Sequence, residues 1–161
     1  MVAHDAAKGD EPLKLERLHR DILAPQLDVF IATARDATAR APYEALRAAL
    51  ETLEVPPELT ARLGAIAELA INSGRVREAY GPGAELALWG LFQKTPRGRE
   101  IAESVAALNA ALKPLVGQAI EGLNAISRAP GAYALTIKTD QCQVVIRFEP
   151  AGVRIESLEV G

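Results

Sequence analysis

The chain has 161 residues, of which 49% are apolar and 24% are charged, and its formal net charge is -3. This length is enough for one domain with its own core, and this composition excludes global disorder. A negative net charge offers no broad attraction to a phosphate backbone, so we expect no general nucleic-acid binding.

The expected compartment is the cytoplasm. No window approaches the roughly 20 apolar residues that cross a bilayer, and the N-terminus has no signal-peptide pattern, so we expect no membrane span. Cys142 is the single cysteine, which excludes an intrachain disulfide, and we expect it to be a packed strand residue. Thirteen arginines against five lysines, with abundant alanine, indicate a GC-rich bacterial genome.

The sequence predicts a tail followed by one domain. Residues 1–12 have little apolar content and no periodicity, which is typical of a flexible tail. Residues 13–161 predict a single domain, with a helical body over 13–129 and a sheet over 132–160. The change from helical periodicity to alternation falls at Pro130-Gly131.

Prolines mark the predicted helix boundaries in the first half of the chain. Apolar residues recur at helical spacing over 15–34, but Pro25 interrupts them and predicts a kink or a break into two pieces. Pro42 and Pro57 each stand where a first-turn proline opens a helix. The helix that begins at Pro57 is expected to end at Asn72-Ser73-Gly74.

The rest of the helical body is less uniform. Residues 75–83 form the least regular interior segment, and the apolar run over 85–92 predicts a helix enclosed by others. Thr95-Pro96 predicts the start of a long helix. Steps of four and three along it predict a helical seam, for which a contact inside one chain is favoured over an intermolecular coiled coil because Pro114 interrupts it. The seam comprises Ile101, Val105, Leu108, Leu112, Leu115 and Ala119.

Alternating apolar residues over 133–137, 142–148 and 153–160 predict three short strands, joined by turns at Asp140-Gln141 and at Pro150-Ala151-Gly152. The expected fold is therefore α+β, with about five to six helices followed by a three-stranded antiparallel β-meander packed on them.

The third predicted strand breaks the alternation. Val153 and Ile155 fall on one face, whereas Leu158 and Val160 fall on the other. Either a bulge lies near Glu156-Ser157, or the last residues meet a second interface. Because an edge strand can pair with another chain, Ile155, Leu158 and Val160 are the candidate residues of a sheet-edge interface, with a covered or simply short edge as the favoured alternative.

The sequence offers no catalytic residue, cofactor motif or metal motif. It lacks a phosphate-binding Gly-Lys-Ser/Thr loop, a dinucleotide glycine fingerprint and a two-histidine metal helix. His19 has the neighbours Arg17, Arg20 and Asp21, which predict an exposed helical face rather than a catalytic site.

Cations surround the predicted start of the long helix. They are unfavourable to the positive end of the helix dipole, whereas exposed amides there attract anions. Thr95, Arg97 and Arg99 are therefore candidate contacts to a phosphate or to a carboxylate of a partner, with solvated surface charge as the alternative.

A turn at 80–83 lies close in sequence to Trp89, the single tryptophan. Aromatic residues and flexible turns often line pockets, although such a turn can equally join two helices around a core tryptophan. Arg75, Arg77, Tyr80 and Trp89 are the candidate pocket residues.

Two functions follow. The favoured one is a non-catalytic protein-protein interaction or assembly module that forms a homo-oligomer through the terminal sheet edge or the helical seam. The alternative is a small-molecule-binding protein or enzyme, with a pocket between helices and sheet near Trp89.

Overall fold

The computed structural model describes residues 11–160, so the predicted tail over residues 1–12 lies mostly outside the described residues. The described chain forms six α-helices and a C-terminal antiparallel sheet, which confirms the α+β class. It divides into two compact units, of which the first ends at Arg99 and the second begins at Glu100. Within residues 11–160, no helix is long and apolar enough to cross a membrane.

The first unit contains a two-stranded sheet, five helices and the start of a sixth. The bounds are β1 Leu13–Lys14, α1 Arg17–Thr33, α2 Ala37–Thr52, β2 Glu54–Val55, α3 Thr60–Asn72, α4 Arg75–Tyr80, α5 Pro82–Phe92 and α6 Pro96–Leu112. β1 pairs antiparallel with β2, and a 3-10 turn over Pro57–Leu59 leads into α3.

The core of the first unit comes from one apolar face of each long helix. α1 packs on α2, α3 and α5, and α3 also packs on α5. Each large aliphatic side chain buried in this way stabilises the fold by about 1.5–3 kcal/mol. The largest fully buried side chains of this unit are Ile22, Leu23, Leu27, Leu46, Leu50, Val55, Leu63, Leu88, Leu91 and Phe92.

The predicted break at Pro25 is wrong, because α1 continues without interruption over Arg17–Thr33. A proline inside a helix removes the N–H that would bond to the carbonyl four residues earlier, here that of Asp21. The Tyr80 hydroxyl donates to the Asp21 carbonyl oxygen at 3.3 Å. α4 thus supplies the donor that the proline removes, and the helix passes through Pro25.

The start of α2 also differs from the expectation. The helix begins at Ala37 rather than at Pro42, which lies inside it. The Asp36 carboxylate accepts a hydrogen bond from the Thr38 amide at 2.9 Å and caps the first turn. An aspartate cap therefore sets the boundary, and Pro42 lies in the second turn, where it removes the hydrogen bond to the Thr38 carbonyl oxygen.

The two segments on either side of Gly81 differ from the expectation as well. Arg75–Tyr80 forms the short helix α4, where an irregular segment was expected. α5 is not enclosed: Leu86 is 70% exposed and Trp89 is 38% exposed. The helix buries only one side, which carries Ala84, Leu88, Leu91 and Phe92.

Surface ion pairs connect α1 with α2. Arg47 of α2 lies 2.9 Å from the Asp28 carboxylate of α1 and also bonds to Glu51 one turn further along α2. The hydrogen bonds to Glu51 and Asp28 raise the pKa of the Arg47 guanidinium. Because the partners are exposed, such pairs contribute at most about 1 kcal/mol each.

The second unit contains the remainder of α6 and a sheet of four strands, not three. Its bounds are β3 Ile120–Ala129, β4 Ala132–Thr139, β5 Cys142–Glu149 and β6 Gly152–Val160. Neighbouring strands pair antiparallel in the order β3-β4-β5-β6. β3 occupies a stretch that the sequence assigns to the helical body, and Pro130-Gly131 is the turn between β3 and β4 rather than the helix-to-sheet boundary.

The predicted helical seam is only partly helical. α6 ends at Leu112, Leu115 lies in a 3-10 turn, and Ala119 follows that turn. The helix ends two residues before Pro114, which has no backbone N–H to donate to the ladder. Of the seam residues within α6, Val105 is 41% exposed.

Candidate functional site

The sheet of the second unit has one apolar face. Directly opposed residues of antiparallel strands point to the same face, so Leu135, Ile146 and Ile155 stand side by side across three strands. We call this side the apolar face. It comprises Ile120, Leu123, Ala125, Tyr133, Leu135, Ile137, Cys142, Val144, Ile146, Phe148, Val153, Ile155, Leu158 and Val160.

A β-bulge lets β6 join the apolar face along its whole length. Ile155 and Ser157 pair with consecutive residues of β5, so Glu156 between them is an extra residue. An extra residue reverses the alternation of the strand. The sequence predicts a bulge near Glu156-Ser157 as one of two alternatives, and the structure confirms it. The bulge places on one face the residues Val153, Ile155, Leu158 and Val160.

The centre of the apolar face is buried, whereas its margin is exposed. Val144 is 0% exposed and Ile146 is 3% exposed. Six large apolar side chains at the margin keep two fifths or more of their surface in solvent. They are Ile120 at 59%, Leu123 at 63%, Tyr133 at 54%, Phe148 at 41%, Leu158 at 41% and Val160 at 71%.

The opposite face of the sheet carries ion pairs. Arg147 lies 3.4 Å from Glu149 and 4.0 Å from Glu156. Glu156 also lies 3.9 Å from Arg128, and Glu149 lies 3.3 Å from Arg154. This polar face is suited to water, so the two sides of the sheet differ in character.

Charged bulge residues lie on both edge strands. β3 shifts register at Glu121 and at Arg128, and β6 shifts register at Glu156. Charges and bulges on an edge strand oppose its pairing with a strand of another chain. The apolar face is therefore a better docking surface than either edge.

One end of the sheet holds a small polar cluster around Cys142, which is buried as expected. The Thr139 hydroxyl accepts hydrogen bonds from the amides of Gln141 at 3.3 Å and Cys142 at 3.0 Å. The Gln118 side-chain Oε1 atom lies 3.8 Å from the Cys142 sulfur. A cleft of about 360 Å³ opens at this end, lined by residues 138–143 together with Glu159 and Val160.

Thr95, a candidate anion contact, is fully buried at the start of α6. Its hydroxyl donates to the Phe92 carbonyl oxygen at 2.6 Å and accepts from the Gly98 amide at 3.2 Å. Thr95 therefore caps the first turn of α6, and its hydroxyl is already engaged in two hydrogen bonds.

The two arginines of the same predicted site have different neighbours. The Arg97 Nε atom lies 4.0 Å from the carboxylate of Glu68 on α3. Arg99 instead lines a cleft of about 190 Å³ together with Lys94. Anion contact by Thr95, Arg97 and Arg99 stays a prediction, and Lys94 and Arg99 are the cations that share a cleft.

The candidate pocket residues have separate surroundings. Arg75 is exposed, and none of the four residues lines either cleft described above. The neighbours are Glu85 for Arg77 at 3.6 Å, the Asp21 carbonyl for Tyr80 at 3.3 Å, and Phe92 for Trp89 with ring centroids 5.4 Å apart. The pocket near Trp89 stays a prediction.

His19 is buried, with 6% of its surface exposed, so the predicted exposed position is wrong. Its Nδ1 atom accepts a hydrogen bond from the Glu16 amide at 3.0 Å, and its Nε2 atom lies 3.2 Å from the Ala87 carbonyl oxygen. Both ring nitrogens therefore have backbone partners. His19 fixes the start of α1 against α5.

Metal-ligating side chains do not cluster in the part of the chain that the structure describes: no group of three or more His, Cys, Asp or Glu residues there could hold a metal ion. Comparison of the chain with protein-family models, with curated proteins and with solved structures finds no match.

Proposed function

We propose that this protein is a non-catalytic assembly module that forms homo-oligomers through the apolar face of its C-terminal sheet. The observation that carries this proposal is the exposed margin of that face. Six large apolar side chains there are 41–71% exposed, on a sheet whose other side carries ion pairs.

The exposed area approaches the size that an interface needs. Side chains of this size and exposure present on the order of 600 Å² of apolar surface in total. A stable interface removes about 800 Å² from each partner. The margin of the apolar face thus supplies most of the area required. The buried residues beside it shape the surface that a second copy would contact.

The candidate residues on β6 support the same surface. Ile155, Leu158 and Val160 lie on the apolar face, and Leu158 and Val160 belong to its exposed margin. We assign their role to packing of the face against a second copy, rather than to pairing of the β6 backbone, because Glu156 disrupts that edge.

Sedimentation velocity over a concentration series tests this proposal. We expect the unmodified protein to form oligomers that dissociate on dilution. Leu123→Lys and Leu158→Lys each place a charge in the proposed interface, so each is expected to weaken association by at least about tenfold.

Asn124→Lys is the matched control. Asn124 is the exposed neighbour of Leu123 on β3 but points to the polar face, so the same new charge should leave association unchanged. A protein that is monomeric at every accessible concentration would refute self-association. Equal loss of association in Asn124→Lys and Leu123→Lys would refute the apolar face as its surface.

A further inference from the structure

The first unit has a small cleft beside the start of α6. It is lined by Lys94 and Arg99, by residues 11–13 ahead of and within β1, and by Pro57 and Thr60 at the start of α3. Its volume is about 190 Å³. This volume is enough for several water molecules or one small polyatomic ion.

Backbone hydrogen bonds fix the segment that carries both cations. The Lys94 amide donates to the Leu91 carbonyl oxygen at 3.0 Å, and the Arg99 amide donates to the Thr95 carbonyl oxygen at 3.0 Å. Thr95 also packs against Gly64 of α3, where an added Cβ would approach its hydroxyl to 2.9 Å. The α5–α6 turn is thus held on α3, and Lys94 and Arg99 project from a rigid base.

The other wall of the cleft is fixed as well. Leu13 pairs with Val55 across the β1–β2 sheet, and the Thr60 hydroxyl donates to the Pro57 carbonyl oxygen at 2.7 Å. The backbone on both sides is therefore ordered before any ligand enters, which lowers the entropic cost of binding.

The charge of the lining is unbalanced. Over residues 11–160, neither Lys94 nor Arg99 forms an ion pair, whereas Arg97 between them approaches Glu68. Among the described residues of the lining, Glu11 is the single carboxylate. Both cations also lie beside the positive end of the α6 dipole, which repels positive charge. A bound anion would relieve this repulsion.

We infer that this cleft binds a small oxyanion, specifically a phosphate group held between Lys94 and Arg99. A guanidinium and an ammonium are the side chains that best complement phosphate oxygens. The cleft is smaller than the roughly 300 Å³ at which drug-sized ligand pockets begin, so it takes the phosphate group and little else. This site lies in the first unit and does not depend on the proposed self-association.

Titration of the full-length protein with inorganic phosphate tests the inference. Amide chemical shifts are followed by NMR at fixed pH and ionic strength, with sodium chloride as the balancing salt. Saturable shifts are expected at Thr60, Lys94 and Arg99. Lys94→Gln and Arg99→Gln are each expected to weaken phosphate binding by about tenfold, and Glu11→Gln is expected to strengthen it a few-fold.

Arg75→Gln is the matched control, because Arg75 is an exposed arginine that does not line the cleft. It should leave phosphate binding unchanged. Shifts that never saturate, or equal weakening by Arg75→Gln and Arg99→Gln, would overturn the inference. Both substituted cations are exposed, so thermal unfolding should show that the variants remain folded.

A parallel titration with glycerol phosphate identifies the carrier of the phosphate group. Tighter binding of inorganic phosphate assigns the site to the free ion, and tighter binding of glycerol phosphate assigns it to a small phosphorylated molecule. Either result supports the site. If inorganic phosphate and glycerol phosphate do not compete with each other for binding, the inference of a single shared cleft is overturned.

Discussion

Gly98 shows how strongly a single residue determines the α5–α6 turn. A Cβ at this position would lie 2.1 Å from the Phe92 carbonyl oxygen and 2.6 Å from the Gln93 Cα. Both atoms belong to the backbone and cannot rotate away. Only glycine lets the first turn of α6 fold back on the end of α5.

Replacement of Gly98 by alanine should therefore destabilise the fold by about 2–3 kcal/mol, since the backbone must shift to admit one methyl group. Urea unfolding followed by the fluorescence of Trp89 measures the effect. Gly90→Ala is the matched control: Gly90 lies within α5 and has open space around it, so alanine should stabilise the fold by about 0.5–1 kcal/mol. Similar values for the two variants would contradict this account.

Residues with a local signal are predictable from the sequence, and residues placed by a tertiary contact are not. Thr95-Pro96 is readable as a helix start because the capping hydroxyl and the proline act within one turn. His19 is different. Its polar neighbours indicate an exposed face, yet a carbonyl of α5, at Ala87, fixes its ring. No local pattern reports a partner 68 residues away.

At the scale of elements, Tyr80 compensates for the hydrogen bond that Pro25 removes from α1. The proline leaves the Asp21 carbonyl oxygen without its helical donor, and the tyrosine hydroxyl replaces that donor. An unbroken α1 therefore depends on a group from α4, a short helix that sequence periodicity does not indicate.

Tyr80→Phe should cost about 0.5–1 kcal/mol of stability, because the exposed Asp21 carbonyl loses one hydrogen bond. In a Pro25→Ala background the new amide supplies that bond, so the same substitution should cost almost nothing. A double-mutant cycle by urea unfolding measures this coupling. Equal costs in the two backgrounds would disprove the compensation.

Tyr43→Phe serves as the control in both backgrounds. Tyr43 packs its ring against Phe30 with centroids 4.3 Å apart, and its hydroxyl forms no hydrogen bond among the described residues. Its replacement should therefore show no coupling to Pro25.

The sequence pattern does not predict β3, for a physical reason, although one local signal indicates it. Ile120, Leu123 and Ile126 recur every three residues, which resembles a helical face and continues the periodicity of α6. Pairing with β4 overrides this local preference. The available signal is Pro130-Gly131, a two-residue turn of the kind that joins two strands, with Gly131 at a φ of 76°.

At the scale of the whole molecule, the two proposed sites rest on different forces. The apolar face lies in the second unit and relies on removal of hydrocarbon from water, whereas the cleft between Lys94 and Arg99 lies in the first unit and relies on charge. Sequence periodicity locates the apolar residues but not their exposure, which depends on what the fold leaves uncovered.

Salt should separate the two activities. Raising sodium chloride from about 0.1 M to about 1 M shortens the Debye length from about 10 Å to about 3 Å. Phosphate binding should weaken several-fold, whereas self-association should stay constant or strengthen. Sedimentation and phosphate titration at both salt concentrations provide the measurement. Dissociation of the oligomer in high salt would instead assign the contact to charged residues such as Arg147 and Glu156.

The extra residues at Glu121, Arg128 and Glu156 have a consequence for how the sheet tolerates changes of length. Elsewhere in a strand, the loss of one residue turns every later side chain to the opposite face. At these three positions the same loss would restore a regular ladder, and loss of Glu156 would leave Leu158 and Val160 on the apolar face. Each edge strand can therefore lose one of these residues without moving its other side chains between the apolar face and the polar face of the sheet.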